Sequence, residues 1–210
     1  MLSETLEATP IVPLVQADDP AIALKTVAAL QAGGLNVIEV VLRTDGAMAC
    51  LEAIAAEARG AIVGAGTVLT PDQAEASLAR GAQFIVSPGL NDDIVRLCQS
   101  RDTPILPGTA TAGEVQHAWN LGLRTVKFFP AGLSGGAPMV KALGSVFRGM
   151  RFMPTGGVSP SNLTDYLKVP SVIACGGSWL TPQAAIDAGD YDAITALARE
   201  AVDIAVGARR

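Results

Sequence analysis

Short apolar runs alternate with longer segments of helical periodicity along the whole 210-residue chain. Eight runs of strand length recur in this way, and such alternation predicts parallel strand pairing with right-handed crossovers. The predicted strands are Ile11–Gln16, Asn36–Leu42, Ala61–Gly66, Phe84–Ser87, Pro104–Pro107, Thr125–Phe129, Arg151–Pro154 and Val172–Cys175. The predicted helices are Pro20–Ala32, Gly46–Ala58, Pro71–Ala79, Asp92–Gln99, Ala112–Leu121, Pro138–Phe147, Asn162–Leu167 and Ala193–Ala205, with a short helical turn near Pro182–Ala188.

Eight such units predict an α/β fold, a single-domain (β/α)8 TIM barrel that spans residues 1–210. The alternative, an open doubly wound sheet, normally carries a Gly-rich fingerprint after its first strand. Here the first strand is followed by Ala17-Asp18-Asp19-Pro20, which lacks those glycines. Hydrophobic residues make up 50% of the chain and aromatic residues 4%, which is typical of an inner parallel sheet covered by Ala-rich helices.

Charge and hydropathy limit the partners of the chain. The net charge of −5 and the lack of a basic stripe argue against nucleic acid, and the terminal Arg209-Arg210 is interpreted as a solvated tail. No apolar run approaches the ~18 residues of a membrane span, and the N-terminus does not resemble a signal peptide. We therefore expect a cytoplasmic protein that acts on a small molecule.

Cysteine and histidine usage predicts that the protein uses no cofactor and no metal held by those residues. Cys50, Cys98 and Cys175 are far apart and lie in apolar elements, so they are expected to be buried free thiols. His117 is the only histidine in the sequence, which argues against a zinc site built on several His or Cys ligands. A Mg²⁺ ion held by carboxylates remains open at this level.

Lys127 lies inside the apolar strand Thr125–Phe129, an unusual place for an ammonium group. Burial disfavours the charged form of a lysine, and a neutral amine attacks carbonyl groups to form Schiff bases. The other three lysines fall in predicted helices or at helix ends. The alternative interpretation is a lysine whose head group reaches water or pairs with a carboxylate.

Glu39 is the second charged residue within a predicted apolar strand. It could be a general acid or base near Lys127, or one partner of a structural ion pair with Arg43 or Lys127. Glu39 and Arg43 are an even number of residues apart, so on a regular strand they face the same side. An arginine on that side could hold a substrate carboxylate with two hydrogen bonds.

Glycine pairs follow the seventh and eighth predicted strands, where phosphate-binding barrels hold their phosphate. Gly156-Gly157 and Gly176-Gly177-Ser178 are interpreted as backbone N–H sites at helix N-termini, although glycine most often only makes a turn. Gly64-Ala65-Gly66-Thr67 is interpreted as a close backbone approach to the substrate carboxylate.

Six segments resemble those of the 2-keto-3-deoxy-6-phosphogluconate (KDPG) aldolase family, which also includes 4-hydroxy-2-oxoglutarate aldolases. The resemblance extends along nearly the whole chain. The segments are Ile38–Thr44, Val63–Leu69, Phe84–Leu90, Val126–Ala131, Phe152–Val158 and Gly176–Leu180.

The resemblance implies a metal-free class I aldolase of the Entner–Doudoroff pathway that forms a homotrimer. It implies Lys127 as the Schiff-base lysine and Glu39 as the proton-transfer residue. The remaining implied roles are Arg43 and Thr67 at the pyruvate carboxylate, Pro88 and Phe129 as pocket walls, and Gly156, Gly157, Gly177 and Ser178 at the phosphate. Gln16 departs from the pattern, because some members carry a basic residue there.

Three alternatives remain open from the sequence. Within the class, the substrate could be 4-hydroxy-2-oxoglutarate or the galactonate epimer. An isomerase or epimerase of phosphorylated sugars would use carboxylates and no covalent lysine. A non-catalytic phosphate-binding module would have no use for Glu39 and Lys127.

Overall fold

The computed structural model describes residues 2–209, so Met1 and Arg210 of the predicted domain lie outside the described part. Its strands are β1 (Ile11–Val15), β2 (Val37–Val41), β3 (Ile62–Gly66), β4 (Phe84–Val86), β5 (Ile105–Leu106), β6 (Gly108–Thr109), β7 (Thr125–Phe128), β8 (Arg151–Pro154) and β9 (Cys175–Gly177). Its helices are α1 (Leu2–Ala8), α2 (Pro20–Ala32), α3 (Ala47–Glu57), α4 (Pro71–Ala79), α5 (Asp92–Ser100), α6 (Ala112–Asn120), α7 (Gly136–Val146), α8 (Pro160–Leu167), α9 (Gln183–Ala188) and α10 (Tyr191–Ala208).

The strands form two parallel ladders, and the predicted α/β class is confirmed. Six strands pair in the order β5-β4-β3-β2-β1-β9, and three pair in the order β6-β7-β8. Isolated parallel bridges join Phe152 to Val172 and Thr155 to Gly176. The result is a curled parallel sheet with helices on its outer side.

Side chains cap the starts of several helices. The Asp19 carboxylate accepts from the N–H groups of Ala21 and Ile22, and the Thr70 hydroxyl accepts from Gln73. Ser159 forms a capping box with Asn162 at the start of α8. These caps satisfy backbone donors that a helix leaves unpaired, so the helix starts are set by local sequence.

Two strand predictions were wrong in detail. The fifth strand is divided at Pro107, which has no N–H to donate, and the chain changes partner there from β4 to β7. The last strand is Cys175–Gly177 instead of Val172–Cys175. Its residues pair with Ile11–Pro13 of β1. Gly176 and Gly177, a pair typical of turns, therefore lie inside a parallel ladder.

The N-terminal helix α1 was not predicted. Arg209, interpreted with Arg210 as a solvated tail, is exposed but also contacts the protein. Leu6 of α1 is only 2% exposed. The Arg209 guanidinium donates to the carbonyl of Glu7 at 2.6 Å and to that of Ile173 at 2.8 Å. The C-terminal end of the described chain thus holds α1 against the sheet.

Buried apolar side chains form two clusters, one on each face of the sheet. The larger cluster lies between the strands and the helices. The smaller one, the inner cluster, lies on the opposite face and consists of Leu6, Val12, Val37, Phe84, Val86, Leu106, Met153, Ile173 and Ala174. No helix within residues 2–209 is both long and apolar enough to cross a membrane.

Candidate active site

Lys127 and Glu39 meet on the inner side of the curled sheet. Lys127 lies on β7 and Glu39 on β2, in different ladders, and Nζ is 3.2 Å from Oε1. The lysine side chain is 4% exposed and the glutamate side chain is fully buried. The lysine is therefore almost wholly buried, and the alternative interpretation of a carboxylate partner is confirmed: Lys127 pairs with Glu39. This contact supplies a nucleophile and a carboxylate at one point.

One oxygen of Glu39 is left free by this pairing. Oε2 is buried and has no hydrogen-bond partner within residues 2–209. A buried carboxylate oxygen without a partner is costly, and such atoms are rare in folded proteins. Oε2 is therefore able to accept a hydrogen bond from a bound hydroxyl group.

The glycines of β3 make room for inner side chains. A Cβ on Gly66 would lie 2.2 Å from Glu39 Oε1, and a Cβ on Gly64 would lie 2.3 Å from the Phe84 ring. Any side chain at Gly66 would displace the carboxylate. This role differs from the expected approach to a substrate carboxylate.

Phe129, Thr109 and Pro88 surround the lysine strand. The half-buried Phe129 ring has its centroid 5.4 Å from Lys127 Nζ. The buried Thr109 hydroxyl donates to the Lys127 carbonyl at 3.2 Å. Pro88 lies beside Gly108, where a Cβ would lie 2.0 Å from the Pro88 carbonyl oxygen, and Gly108 pairs with Lys127 in the ladder.

Arg43 and Thr67 lie together just beyond the ends of β2 and β3. Arg43 Nε donates to Thr67 Oγ1 at 3.2 Å, and the arginine is exposed. Thr67 has a φ of 60°, which is rare for a β-branched residue. Strained backbone of this kind is concentrated at functional sites, which makes the Arg43–Thr67 pair a candidate binding element.

Gly156 and Gly157 precede α8 and contact neighbouring loops. Both have positive φ values, 88° and 81°, and a Cβ on Gly156 would lie 3.2 Å from the Phe129 ring. Phe129 therefore contacts this loop and also lies near Lys127. The predicted position before a helix N-terminus is confirmed here, because Ser159 caps α8.

Gly177 and Ser178 differ from their predicted geometry. Gly177 is buried in β9 beneath the Trp179 ring, and α9 begins only at Gln183, so no helix N-terminus lies at the glycine. Ser178 is exposed and lines a cavity of about 250 Å³. This cavity is lined by Leu14, Gln16, Val41, Arg43, Ser178, Thr181 and Gln183.

The three cysteines are buried and free, as predicted. Burial raises the pKa of the Cys98 thiol to about 11. Burial also raises the pKa of Cys50, with added repulsion from Asp18 and Asp19, and that of Cys175. None of the three is a thiolate nucleophile at neutral pH.

Several polar residues near the site were not predicted individually. Thr109 and Thr155 are buried at 2% and 3% exposure, at the ends of β6 and β8. A Cβ on Gly176 would lie 2.3 Å from the Thr155 hydroxyl, so the glycine makes room for it. The signal that could have identified Thr109 and Thr155 in the sequence is that each follows an apolar run. Gln183 of the small cavity carries no such signal.

The fold and the site define a class of protein: a parallel α/β protein with a buried lysine–carboxylate pair, an arrangement suited to covalent catalysis by lysine. The chain belongs to the family described as "Aldolase: KDPG and KHG aldolase", whose model matches residues 2–197. It is 46% identical to "KHG/KDPG aldolase" of Escherichia coli (strain K12) over 198 residues, or 94% of this chain and 93% of the relative.

Two solved structures show the same likeness. The KDPG aldolase of Legionella pneumophila, with pyruvate captured as a covalent carbinolamine intermediate, has a TM-score of 0.92 and 37% identity, and covers 96% of this chain and 98% of its own. The 2-keto-3-deoxy-6-phosphogluconate aldolase of Zymomonas mobilis ZM4 with 3-phosphoglycerate has a TM-score of 0.90 and 41% identity, and covers 97% and 95%.

Proposed function

We propose that this protein is a class I aldolase, a lyase that reversibly cleaves 2-keto-3-deoxy-6-phosphogluconate to pyruvate and glyceraldehyde 3-phosphate. The observation that carries this proposal is the buried contact of 3.2 Å between Lys127 Nζ and Glu39 Oε1. Family membership supports it, and so does the pyruvate carbinolamine of the Legionella pneumophila relative.

Lys127 is the proposed nucleophile. Its neutral amine adds to the C2 ketone and forms a carbinolamine, which loses water to give an iminium ion. The C3–C4 bond then breaks, and its electron pair moves toward the cationic nitrogen to form an enamine. After protonation at C3, hydrolysis of the iminium releases pyruvate and restores the amine.

Glu39 is the proposed proton-transfer residue. It takes the C4 hydroxyl proton as the aldehyde leaves, through a bridging water, and later returns a proton to C3 of the enamine. The buried position of Oε1 beside Nζ and the free Oε2 support this role. A purely structural ion pair would need only Oε1, so it would not account for an unpartnered Oε2.

Arg43 and Thr67 are the proposed ligands of the pyruvate carboxylate. The guanidinium beside a strained threonine supports this assignment. Arginine binds carboxylates through two parallel hydrogen bonds, which would hold the ketone near the amine. Pro88 and Phe129 are the proposed walls of the pyruvate pocket, as their places around the lysine strand suggest.

Gly156, Gly157, Gly177 and Ser178 are the proposed phosphate ligands. The positive φ values at Gly156 and Gly157, next to the capped start of α8, support an anion site. Ser178 contributes a hydroxyl and Gln16 an uncharged amide at the neighbouring cavity. Phosphate is thus held mainly by neutral donors.

The finer architecture is also part of the proposal. We infer that the two ladders close into one eight-stranded (β/α)8 barrel and that residues 1–210 form a single domain. The bridges Phe152–Val172 and Thr155–Gly176 and the Lys127–Glu39 contact between ladders support closure. The protein would act as a homotrimer in the cytoplasm, in the Entner–Doudoroff pathway.

A second substrate, 4-hydroxy-2-oxoglutarate, belongs to the same proposal. The uncharged Gln16 in the small cavity favours tolerance of a substrate without phosphate. The Escherichia coli relative, a KHG/KDPG aldolase by name, supports it. The pyruvate half of both substrates would meet the same Lys127, Glu39 and Arg43.

Borohydride trapping tests the proposed chemistry. Sodium borohydride with pyruvate should inactivate the protein and leave one reduced pyruvyl adduct, which peptide mass spectrometry should place on Lys127. An adduct on Lys25, Lys141 or Lys168, or no adduct at all, would refute the mechanism. A phosphosugar isomerase and a non-catalytic module both predict no adduct.

A further inference from the structure

The short strand β6 holds the backbone of β7, the strand that carries Lys127. β6 consists of Gly108 and Thr109 alone and pairs with β7 at the edge of its ladder. Gly108 lies opposite Lys127, and the Lys127 N–H donates to the carbonyl of Pro107 at 2.9 Å. Because the preceding strand β5 belongs to the other ladder, these few residues support Lys127 from this side.

Thr109 supplies the only side chain of β6. The other residue is Gly108, where a Cβ would lie 2.0 Å from the Pro88 carbonyl oxygen, so a side chain does not fit there. Thr109 itself is only 2% exposed. A hydroxyl group buried to this degree needs a hydrogen-bond partner, because leaving it unpaired costs free energy.

The partner of the Thr109 hydroxyl is the carbonyl of Lys127, to which Oγ1 donates at 3.2 Å. The Thr109 carbonyl in turn accepts from the Phe129 N–H at 3.1 Å. One threonine thus contacts the backbone of two residues that are two positions apart, and such side chains face the same side of an extended chain. The Phe129 ring centroid lies 5.4 Å from Lys127 Nζ, so both contacts of Thr109 affect the same part of the site.

The amine of Lys127 has little freedom to move without losing its function. Nζ is 3.2 Å from Glu39 Oε1, and the lysine side chain is 4% exposed. A rotation of the lysine peptide group would redirect the Cα–Cβ bond and displace the amine from Glu39 and from a substrate ketone. Misplacement of a reacting group by about 1 Å can cost ~10²-fold in rate. A donor that fixes this peptide group therefore limits such movement.

We propose that Thr109 is a positioning residue for the aldol reaction, whose hydroxyl and carbonyl groups orient Lys127 and Phe129 so that the amine faces the substrate ketone. The inference rests on the proposed function, because it needs Lys127 as the nucleophile. Thr109 acts through Lys127, and no bond to Thr109 forms or breaks in the reaction. Substitutions at Thr109 should therefore change the rate of the chemistry more than the binding of the substrate.

The test replaces the Thr109 hydroxyl with a methyl group. Thr109→Val is nearly isosteric and keeps the ladder pairing, so kcat and kcat/KM should both fall about tenfold while KM stays unchanged. Trapping of the pyruvate adduct by sodium borohydride, at saturating pyruvate, should slow by the same factor. Thr109→Ser, which restores the hydroxyl, should recover most of the rate.

Thr26→Val is the matched control. Thr26 is 0% exposed, and its hydroxyl donates to the Ile22 carbonyl at 2.9 Å within α2. This variant also loses a buried hydrogen bond, so its melting temperature should fall as in Thr109→Val. Its kcat and its trapping rate per folded molecule should stay at the wild-type values. A purely structural role for Thr109 predicts the same result for both variants.

Thr109→Ala provides a second variant in case Thr109→Val does not fold. It differs from Thr109→Ser only by the hydroxyl, so its kcat should be about tenfold lower than that of Thr109→Ser. The proposal is overturned if folded Thr109→Val keeps the wild-type kcat and trapping rate, or if Thr109→Ser and Thr109→Ala have equal turnover. A wild-type protein that forms no adduct on Lys127 overturns the proposed function and this inference together, so the wild-type measurement distinguishes the two failures.

Discussion

The two ends of the inner sheet face use the same strands for opposite purposes. Toward the N-terminal ends, Val37 and its neighbours join the inner cluster under Leu6 of α1. Two residues further along β2, on the same side of the strand, Glu39 carries a buried charge that pairs with Lys127. The apolar end, formed by the inner cluster, therefore stabilises the fold. The charged end, formed by Glu39 and Lys127, supplies the reactive groups only one or two residues further along the strands.

The difference shows why the charged pair is unlike an ordinary stabilising contact. A buried ion pair is weak evidence for stability, because desolvating two charges can cost more than their attraction returns. The inner cluster gains free energy from burial alone. Changes at the charged end should therefore alter catalysis first, and changes at the apolar end should alter stability first.

The largest effect is expected for Glu39→Gln. It removes the proposed proton acceptor while nearly preserving shape, and loss of a general acid or base typically costs about 10²–10⁴-fold in rate. Steady-state turnover and a thermal melt should be measured together. The matched control is Glu52→Gln, whose carboxylate is 65% exposed and lies 3.6 Å from Arg80. Wild-type turnover in a folded Glu39→Gln variant would reduce Glu39 to a structural ion pair.

The opposite end is tested by Leu6→Ala. Leu6 is 2% exposed in the inner cluster, and truncation of a buried leucine costs about 2–5 kcal/mol of unfolding free energy. Turnover per folded molecule should stay near wild type, because Leu6 does not contact the charged pair. Leu133→Ala, at a position 91% exposed, should change stability by less than about 0.5 kcal/mol. A large loss of turnover in folded Leu6→Ala would show that the two ends are coupled.

Most of the fold could be predicted because its signals are local. Caps such as Asp19 and Thr70 fix helix starts, and long apolar runs fix most strands. Helix α1 could not be predicted, because seven residues form a marginal helix without tertiary packing. The last strand was misplaced because glycines disfavour strands on their own, and the pairing of Gly176 and Gly177 with β1 overrides that preference.

The site was predictable where polar residues interrupt an apolar pattern. Lys127 and Glu39 stand out in this way, and the structure brings their side chains together. The role of Gly66 could not be predicted, because it depends on where the Glu39 side chain lies. The contacts of Arg209 with two distant carbonyls were equally hidden, since no pattern in a terminal segment specifies them.

The smallest effect is expected at the periphery of the charged end, for Ser178→Ala. Ser178 lines the cavity that also contains Gln16 and Arg43, where Gln16 offers no charge. Hydrogen bonds to charged groups contribute ~1.5–3 kcal/mol, so kcat/KM for the phosphorylated substrate should fall roughly tenfold or more. Binding energy from a remote group can position the reacting centre, so part of the loss should appear in kcat.

The same variant should retain its kcat/KM for 4-hydroxy-2-oxoglutarate, which has no phosphate. Ser145→Ala serves as the matched control, because that exposed hydroxyl donates to the carbonyl of Ala142 within its own helix. Both substrates should be assayed side by side with each variant. Equal losses on the two substrates in Ser178→Ala would mean that the serine shapes the end of the sheet and does not bind phosphate. A loss confined to the phosphorylated substrate would show that the phosphate is bound at the edge of the charged end, by donors that carry no charge.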